Sequence, residues 1–313
     1  MNDGSSLKIS CRQCKSRLDV GELEPFSVVD CPVCGARLRV PKRFDRYILE
    51  KVCGHGSSTT VYRALDPQLS RRVAVKVLEA GGDDAGELGQ RFLAEAKLVA
   101  KLNHPAILPV YNCGVCDGKY YLVTRYMELG DLGAMQKRGE LPPTGKLLGI
   151  VAAVAEALQY ANRTAKVVHH DVKPSNIFLA EGGEARLGDF DLADVREDED
   201  QSPCVVGWGS PAYVSPERLY SGGEDVRGDV FSLGATLYEL LSGRTPFGVE
   251  GEPEELYERR RAMGFPELYT LRSDLPETLS NLVFHMLEFE PECRPGYPEI
   301  IRELRSAAAS LAN

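Results

Sequence analysis

Long apolar stretches are missing from this chain of 313 residues, and their absence limits where the protein can reside. No apolar run approaches the roughly 20 residues that a membrane-spanning helix requires. The segment from Met1 to Ser10 has no apolar core of the kind that marks a secretory signal peptide. The sequence therefore predicts a cytoplasmic protein without a membrane segment.

An overall excess of positive charge is also missing. The formal net charge is −9, but residues 1–46 carry nine Lys and Arg against six Asp and Glu, which gives +3 there and −12 in the remainder. An acidic total disfavours nucleic acid as the main partner. Hydrophobic residues make up 43% and charged residues 27% of the chain, proportions typical of a globular protein with a sizeable core.

A disulfide framework is the third missing feature, although the chain contains nine cysteines. Four of them form two Cys-x-x-Cys pairs, Cys11 with Cys14 and Cys31 with Cys34, separated by 16 residues. This spacing is typical of zinc ligands, and four thiolates close a tetrahedral structural site. A redox dithiol is the alternative, which the second pair and the absence of a βαβ pattern disfavour. Residues 1–43 resemble a zinc ribbon, a segment too small to fold readily without its ion.

The most informative stretch extends from residue 167 to residue 191. Two short apolar runs, Ile177 to Leu179 and Ala185 to Leu187, flank a Gly-containing turn and predict a β-hairpin. Such a hairpin brings the polar residues that flank it to one end: Asp171, Lys173, Asn176 and Asp189. Two carboxylates, an amide and an ammonium suit a metal-bound phosphate and a hydroxyl that is to be deprotonated.

This stretch resembles the catalytic loop and the metal-binding segment of the eukaryotic-like Ser/Thr protein kinases, a bacterial type included. The residues that match the family in order and spacing are His169, Asp171, Lys173, Asn176 and Asp189. The resemblance implies that Asp171 accepts the proton of the substrate hydroxyl and that Lys173 neutralises the transferring phosphoryl group. It also implies that Asn176 and Asp189 hold Mg²⁺ or Mn²⁺, and that His169 is a packing residue.

The region from Tyr47 to Met127 resembles the amino-terminal lobe of the same kinases. Apolar runs flank a glycine pair like that of the Gly-rich loop, and Val-Ala-Val-Lys follows at residues 73–76. A predicted helix carries an apolar stripe that consists of Leu88, Phe92, Val99 and Leu102. Glu95 lies on the same face of this helix. A carboxylate on a buried face needs a partner, and the resemblance implies Lys76. By the same resemblance the ATP-binding residues are Val52, Gly54, Gly56, Val61, Ala74, Lys76, Thr124, Arg125 and Met127.

The carboxyl-terminal region contains residues to which the resemblance gives structural roles. A segment that ends at Glu217 resembles the substrate-binding loop, in which the Ser210 hydroxyl contacts the catalytic aspartate. A helix predicted over residues 229–241 begins with Asp229, which would anchor the backbone of the catalytic loop. Arg294 matches the arginine that pairs with Glu217 in the family.

These features predict an α+β, two-lobed protein-kinase-like fold preceded by a small zinc ribbon with four cysteine ligands. The ribbon covers residues 1–43 and the kinase domain residues 44–313, with an amino-terminal lobe of about 44–127 and a carboxyl-terminal lobe of about 128–310. The family fold has a five-stranded antiparallel sheet with one main helix, followed by a mostly helical lobe. The implied reaction transfers the γ-phosphoryl group of ATP to Ser or Thr of protein substrates, with Mg²⁺ and a structural Zn²⁺.

Three departures from the family pattern keep a second interpretation open. Thr59 replaces the third glycine of the Gly-rich loop, His170 stands where arginine is usual, and Asp191 stands where glycine is usual. A pseudokinase that acts as a nucleotide-binding scaffold is therefore the alternative to an active enzyme. A zinc-ribbon nucleic-acid binder is weaker, because the total charge is acidic. The +3 charge of the ribbon also allows it to dock against the acidic kinase domain.

His170 leads to a prediction about control. In many kinases an arginine at this position pairs with a phosphate on the activation segment, and an imidazole cannot replace the bidentate guanidinium. Residues 197–200 are already acidic and would repel an added phosphate. The sequence therefore predicts that activity does not require phosphorylation of the activation segment, including Ser202.

Overall fold

The computed structural model of the protein describes residues 7–56, 58–79, 85–190, 193–195, 210–221, 224–248 and 251–311. The predictions that involve Asp191, residues 196–200 and Ser202 fall outside these described residues. The chain divides into two compact units. The first consists of Met1–Ala100 with Pro109–Tyr126, and the second of Lys101–Leu108 with Met127–Asn313.

The first unit contains two small hairpins, an antiparallel six-stranded sheet and a helix. The hairpin strands are β1 (Lys8–Ser10), β2 (Arg17–Asp19), β3 (Val28–Asp30) and β4 (Arg37–Arg39). The sheet strands are β5 (Lys42–Phe44), β6 (Tyr47–His55), β7 (Thr59–Asp66), β8 (Arg71–Leu78), β9 (Val110–Cys116) and β10 (Lys119–Arg125), and α1 (Ala85–Val99) follows β8. Their order in the sheet is β5-β6-β7-β8-β10-β9.

The sheet buries a different set of side chains on each face, as the period-two geometry of strands requires. On β8, Val73, Val75 and Val77 are buried in a core shared with Tyr47, Leu49, Tyr121 and Val123. The helix α1 packs on the other face through Phe92 and Ala96, beside Leu122. Gly89 of α1 allows this approach, because a Cβ there would lie 2.0 Å from the Tyr120 ring.

Two details of the first unit differ from the sequence-based expectation. The sheet has six strands rather than five, because residues Lys42–Phe44 fold back on β6 through a turn at Asp45, where φ is 50°. Only Val40 and Pro41 separate β4 from β5, and the boundary between ribbon and kinase domain at residue 43 stays a prediction. On α1, Phe92 and Val99 are buried as predicted, but Leu88 is 41% exposed.

The second unit is mostly helical. Its short strands are β11 (Gly130–Asp131), β12 (Val167–Val168), β13 (Ile177–Leu179), β14 (Ala185–Leu187) and β15 (Asp194–Val195). Its helices are α2 (Leu132–Arg138), α3 (Thr144–Ala165), α4 (Pro216–Ser221), α5 (Val226–Ser242), α6 (Pro253–Arg261), α7 (Leu268–Leu271), α8 (Glu277–Met286) and α9 (Tyr297–Ser310).

Two central helices form the core of the second unit. The helix α3 packs against α5 and α9. Of the 17 residues of α5, 13 are buried, including the polar Asp229, Ser232 and Thr236. Polar side chains on such a helix need hydrogen-bond partners, and theirs lie in the loops that surround α5. Within the described part of the chain, no helix combines the length and apolarity needed to cross a membrane.

Candidate active site

The predicted hairpin brings the predicted polar residues together. Strands β13 and β14 have the expected bounds and pair antiparallel, with Ile177 opposite Leu187. A 3₁₀ turn ends at Asn176, whose carbonyl oxygen accepts the Gly188 N–H at 3.0 Å. Asp189, the next residue, has φ 65°, a left-handed conformation that aspartate tolerates better than most residues. Asn176 and Asp189 therefore lie at the same end of the hairpin.

The Asp171 carboxylate is held by side chains on both oxygens. Its Oδ2 accepts from Lys173 Nζ at 2.6 Å and from Asn176 Nδ2 at 3.1 Å. Its Oδ1 accepts from the Ser210 hydroxyl at 3.0 Å, and Lys173 Nζ also donates to Ser210 Oγ at 2.7 Å. The contact predicted between Ser210 and Asp171 is thus confirmed. A carboxylate oriented in this way can accept a hydroxyl proton, and the adjacent ammonium can stabilise negative charge.

The helix α5 holds the backbone of the loop that carries Asp171. Asp229 accepts the His169 N–H on Oδ2 and the His170 N–H on Oδ1, each at 2.8 Å. Thr236 Oγ1 donates to the Val172 carbonyl oxygen at 3.1 Å. Burial raises the pKa of Asp229, and the two N–H donors compensate the loss of water around its carboxyl group. The anchoring role predicted for Asp229 is confirmed.

His169 is a packing residue, as predicted. Its ring lies 4.4 Å from the Phe190 ring, and its Nε2 is 3.2 Å from the Gly188 carbonyl oxygen. Nδ1 accepts the Asp171 N–H at 3.3 Å. Burial lowers the pKa of His169, which favours the neutral imidazole, so we assign the remaining proton to Nε2 as a donor to Gly188. The ring links the loop that carries Asp171 to the segment that carries Asp189.

His170 has a buried carboxylate as a partner, which the sequence analysis did not find. Its Nδ1 lies 2.7 Å from Glu224 Oε1, which also accepts from Arg218 NH1 at 3.0 Å. The Ser215 hydroxyl donates to Glu224 Oε2. Burial raises the pKa of Glu224, but the hydrogen bonds and charges of His170 and Arg218 outweigh it and lower that pKa overall. No local pattern marks Glu224, because its partners are up to 54 residues away.

Two arginines hold the segment around Ser210. Arg294 donates to both oxygens of Glu217, at 2.7 and 2.8 Å, and this confirms the predicted pair. Arg260 is fully buried and donates to the carbonyl oxygens of Pro211 and Val214. Burial lowers the pKa of Arg260 to about 10. The sequence analysis missed Arg260, because it lies in an Arg-rich run on α6 whose sequence is typical of a solvent-exposed helix face.

A cavity of about 470 Å³ opens beside Lys173 and Ser210 in the second unit. Lys173 and Ser210 lie at one side of it, and Tyr213 and Glu239 also line it. The Tyr213 hydroxyl donates to Glu239 Oε2. Burial, followed by this hydrogen bond, raises the pKa of Tyr213 above its usual range. The cavity is large enough for one or two side chains of a bound polypeptide.

In the first unit, most of the predicted nucleotide-binding residues are neighbours in the sheet. Val61 of β7 lies between Gly54 of β6 and Lys76 of β8, and Ala74 of β8 lies opposite Thr124 of β10. The remaining members are Val52 on β6, Gly56 just after it and Arg125 at the end of β10. Met127 belongs to the second unit.

The predicted partner of Lys76 lies on α1. Lys76 Nζ is 6.0 Å from the centre of the Phe92 ring, and Glu95 follows Phe92 by three residues, one helical turn away. The pairing of Lys76 with Glu95 stays a prediction. The N–H of Gly56 in the adjoining loop donates to the carbonyl oxygen of Thr59 at 2.7 Å.

The four predicted zinc ligands form a compact cluster. The Sγ atoms of Cys11, Cys14, Cys31 and Cys34 all lie within 4.8 Å of one another. The Sγ atoms are 3.6 Å apart in the pairs Cys11–Cys34 and Cys14–Cys31, too far for a disulfide bond. Hydrogen bonds from the Ser16 hydroxyl and the Val33 N–H lower the pKa of Cys31 to about 6. Four sulfur atoms in this arrangement fit a tetrahedral metal ion.

An internal repeat builds the cluster, and the sequence analysis missed it. Each Cys pair lies on the turn of its own hairpin, β1–β2 or β3–β4, and Cys31 follows Cys11 by 20 residues. The same offset relates Lys15 to Gly35, which have φ 62° and 71°. It also relates Val20 to Val40, each 1% exposed. The repeat was visible as two copies of Cys-x-x-Cys-x-x-Arg-Leu-x-Val in the sequence.

The loop between the two Cys hairpins contacts the sheet of the same unit through an aromatic pair. The Phe26 ring stacks on the Tyr62 ring of β7, with centroids 5.6 Å apart and planes at 20°. Phe26 is half-buried against the core of the sheet. The contact that these residues make is therefore apolar, whereas the sequence analysis based the possible contact on charge.

The sequence is similar to a protein family model and to several curated proteins. The family model described as "Protein kinase domain" matches residues 47–304. Serine/threonine-protein kinase PknL of Mycobacterium bovis is 36% identical over 242 residues, covering 76% of this chain and 59% of that protein. Serine/threonine-protein kinase PrkC of Bacillus subtilis is 30% identical over 247 residues, covering 79% of this chain and 38% of that protein. The chain thus matches less than two thirds of the length of these curated relatives.

Proposed function

The chain belongs to the protein kinase family, and we propose that it transfers the γ-phosphoryl group of ATP to Ser or Thr hydroxyl groups of protein substrates. The observation that carries this proposal is the environment of Asp171. Its carboxylate is oriented by Lys173, Asn176 and Ser210, and its backbone is fixed to α5 through Asp229. Such preorganisation of a general base and a neighbouring cation is what phosphoryl transfer requires.

Each residue of the site has a separate role in the proposed reaction. Asp171 takes the proton of the attacking Ser or Thr hydroxyl, and the Lys173 ammonium stabilises the charge that develops on the phosphoryl oxygens. In the first unit, the strands that carry Gly54 and Ala74 bind the nucleotide, and Lys76, oriented by Glu95, binds its phosphates. These assignments follow the family pattern, residue by residue.

Asn176 and Asp189 are the residues that would hold Mg²⁺. The amide Nδ2 of Asn176 donates to the backbone and side chain of Asp171, so the oxygen Oδ1 is the atom that remains to serve as a ligand. Carboxylate and amide oxygens suit the preference of Mg²⁺ for oxygen ligands. When bound, Mg²⁺ supplies positive charge that neutralises the nucleotide phosphates.

A phosphoryl-transfer assay with labelled ATP tests the proposed function. Asp171→Asn removes the proton acceptor without changing its shape, and we expect transfer to fall by roughly 10²–10⁴-fold. Asp189→Ala should abolish Mg²⁺-dependent transfer, and Lys76→Met should severely reduce it. Asp225→Asn is the matched control, because this carboxylate is exposed and caps α5 outside the site. Wild-type protein that binds ATP without transferring phosphate to itself or to myelin basic protein would contradict the proposal.

A nucleotide-binding pseudokinase is the second candidate, and one contact favours it. The Gly56 N–H, which the family pattern directs at the nucleotide phosphates, donates instead to the Thr59 carbonyl oxygen. Nucleotide affinity measured together with transfer separates the two candidates. Binding with transfer supports the kinase, and binding alone supports the scaffold.

We further propose that the cysteine cluster holds one structural Zn²⁺ and that the protein acts in the cytoplasm. The supporting observations are the closed set of four Sγ atoms and the unpaired state of the described cysteines, which suits a reducing compartment. Four thiolates leave no open position on the ion, so its role is structural. Elemental analysis of protein purified without chelators should give one zinc per chain, and a metal-free preparation would contradict this assignment.

A further inference from the structure

Glu224 is a buried carboxylate that joins two segments of the second unit. Its side chain is 1% exposed and lies just before α5. On one side it contacts His170, which immediately precedes Asp171 in the catalytic loop. On the other side it contacts Ser215 and Arg218, which lie in the segment of residues 210–221. This segment begins with Ser210, the residue that donates to Asp171.

Each half of His170 is held by a different acidic residue. The backbone N–H is held by Asp229 of α5, whereas the imidazole is held by Glu224. His170 has φ 66°, an unfavourable conformation for a residue with a side chain unless its surroundings fix it. Two separate carboxylates therefore determine the conformation of the residue next to the catalytic aspartate.

The fold makes room for Glu224 at a specific position. Gly228 lies in the first turn of α5, where a Cβ would come within 1.9 Å of Glu224 Oε2 and 2.4 Å of its Cδ. Glycine within a helix is less favourable than alanine, so its presence here suits the space that Glu224 occupies. The carboxylate cannot easily move aside, because it is buried and bound by three partners. Gly228 is thus the position at which a single methyl group displaces Glu224.

We propose that Glu224 is a positioning residue for the catalytic loop, a role that rests on the proposed kinase function. Its fixed carboxylate ties His170 to the segment of residues 210–221, as a phosphate on the activation segment does in kinases that have arginine before the catalytic aspartate. Glu224 Oε1 alone binds both His170 of the loop and Arg218 of the segment, so a single oxygen joins the two. The segment is then in place without phosphorylation.

Two pairs of variants test this role. Glu224→Gln removes the charge and keeps the shape, and Asp225→Asn removes the neighbouring exposed carboxylate. Gly228→Ala displaces Glu224 without altering its charge, and Gly149→Ala adds the same methyl group to α3 at a position where nothing lies within 4 Å. All proteins are treated with phosphatase and compared by unfolding temperature, so that a variant that fails to fold is recognised.

The first readout is amide hydrogen exchange, which does not depend on activity. Glu224→Gln and Gly228→Ala should speed exchange within residues 210–221 and leave α3 and α9 unchanged, whereas the two controls should match wild type. Faster exchange throughout the second unit would indicate a general loss of stability and would overturn the specific role. Exchange equal to wild type in both test variants would also overturn it.

The second readout is steady-state transfer to myelin basic protein. Phosphatase-treated wild type should retain its rate, and the two test variants should lose kcat by about tenfold or more through misplacement of the catalytic loop, with no change in affinity for a fluorescent ATP analogue. Unchanged kcat in Glu224→Gln would overturn the proposal, as would loss of the wild-type rate on phosphatase treatment. If wild type binds nucleotide but transfers nothing, the proposed function fails, and the exchange comparison still decides the role of Glu224.

Discussion

The cysteine cluster and the proposed catalytic loop around Asp171 are both groups of polar side chains carried on turns, yet their surroundings differ. Strands β1 to β4 around the cysteines are three residues long, and each has only its central residue partly covered. The catalytic loop rests against α5, of which 13 of 17 residues are buried. The loop is therefore positioned by hydrogen bonds to a helix that is buried in the hydrophobic core, whereas the Cys hairpins have too little core of their own.

This difference indicates what each region depends on. Four cysteine thiolates at this distance would repel one another without a cation among them. The Asp171 carboxylate already has cationic and neutral donors from its own chain. The Cys hairpins should therefore respond to removal of the proposed metal ion, and the loop around Asp171 to the removal of single buried side chains.

Removal of the proposed Zn²⁺ should have the largest effect, and that effect should be local. Structural zinc contributes on the order of 10 kcal/mol in small zinc domains, so chelation or Cys31→Ser should unfold residues 7–40. Hydrogen exchange should show this loss while the second unit keeps its protection. Cys293→Ser, at an exposed cysteine of the second unit, is the matched control. Retention of exchange protection in β1 to β4 after complete removal of zinc would show that the Cys hairpins do not need the metal to fold.

Substitution of Asp229 should have the next largest effect, on the catalytic loop and the second unit. Asp229→Ala leaves the N–H groups of His169 and His170 buried without an acceptor, and each such group costs about 1–3 kcal/mol. We expect a loss of roughly 3–5 kcal/mol in the free energy of unfolding by urea. Asp229→Asn keeps one acceptor and should lose less. An Asp229→Ala protein as stable as wild type would show that α5 does not hold the loop.

The sequence predicted those parts of the site that depend on local pattern. The β13–β14 hairpin, the helix that begins near Asp229 and the spacing of the four cysteines all follow from residues close together in the chain. Glu224 and Arg260 could not be found in this way, because their partners are brought to them by tertiary packing. The strand β5 was missed because Lys-Arg-Phe is short and mostly charged, and it becomes a strand by pairing with β6.

The smallest effect should come from Phe26, the residue that connects the Cys hairpins to the sheet within the first unit. Phe26 has φ 67°, which is unfavourable for an aromatic residue, so its stacking on Tyr62 must offset this strain. Truncation of a fully buried phenylalanine costs about 3–5 kcal/mol. Phe26 is half-buried, and Phe26→Ala should therefore lose only about 1 kcal/mol in the unfolding of the first unit.

A double-mutant cycle measures whether the Cys hairpins and the sheet are coupled. Phe26→Ala and Tyr62→Ala, alone and together, should give a coupling free energy of about 0.5–1.5 kcal/mol for the aromatic pair. Val33→Ala is the control, since Val33 is an apolar residue of the hairpins that is 69% exposed, and it should not couple to Tyr62. Zinc content should stay the same in every variant, because none of these residues is a ligand. A coupling near zero would show that the hairpins are attached to the sheet through β5 alone, and the two regions of the first unit would then unfold independently.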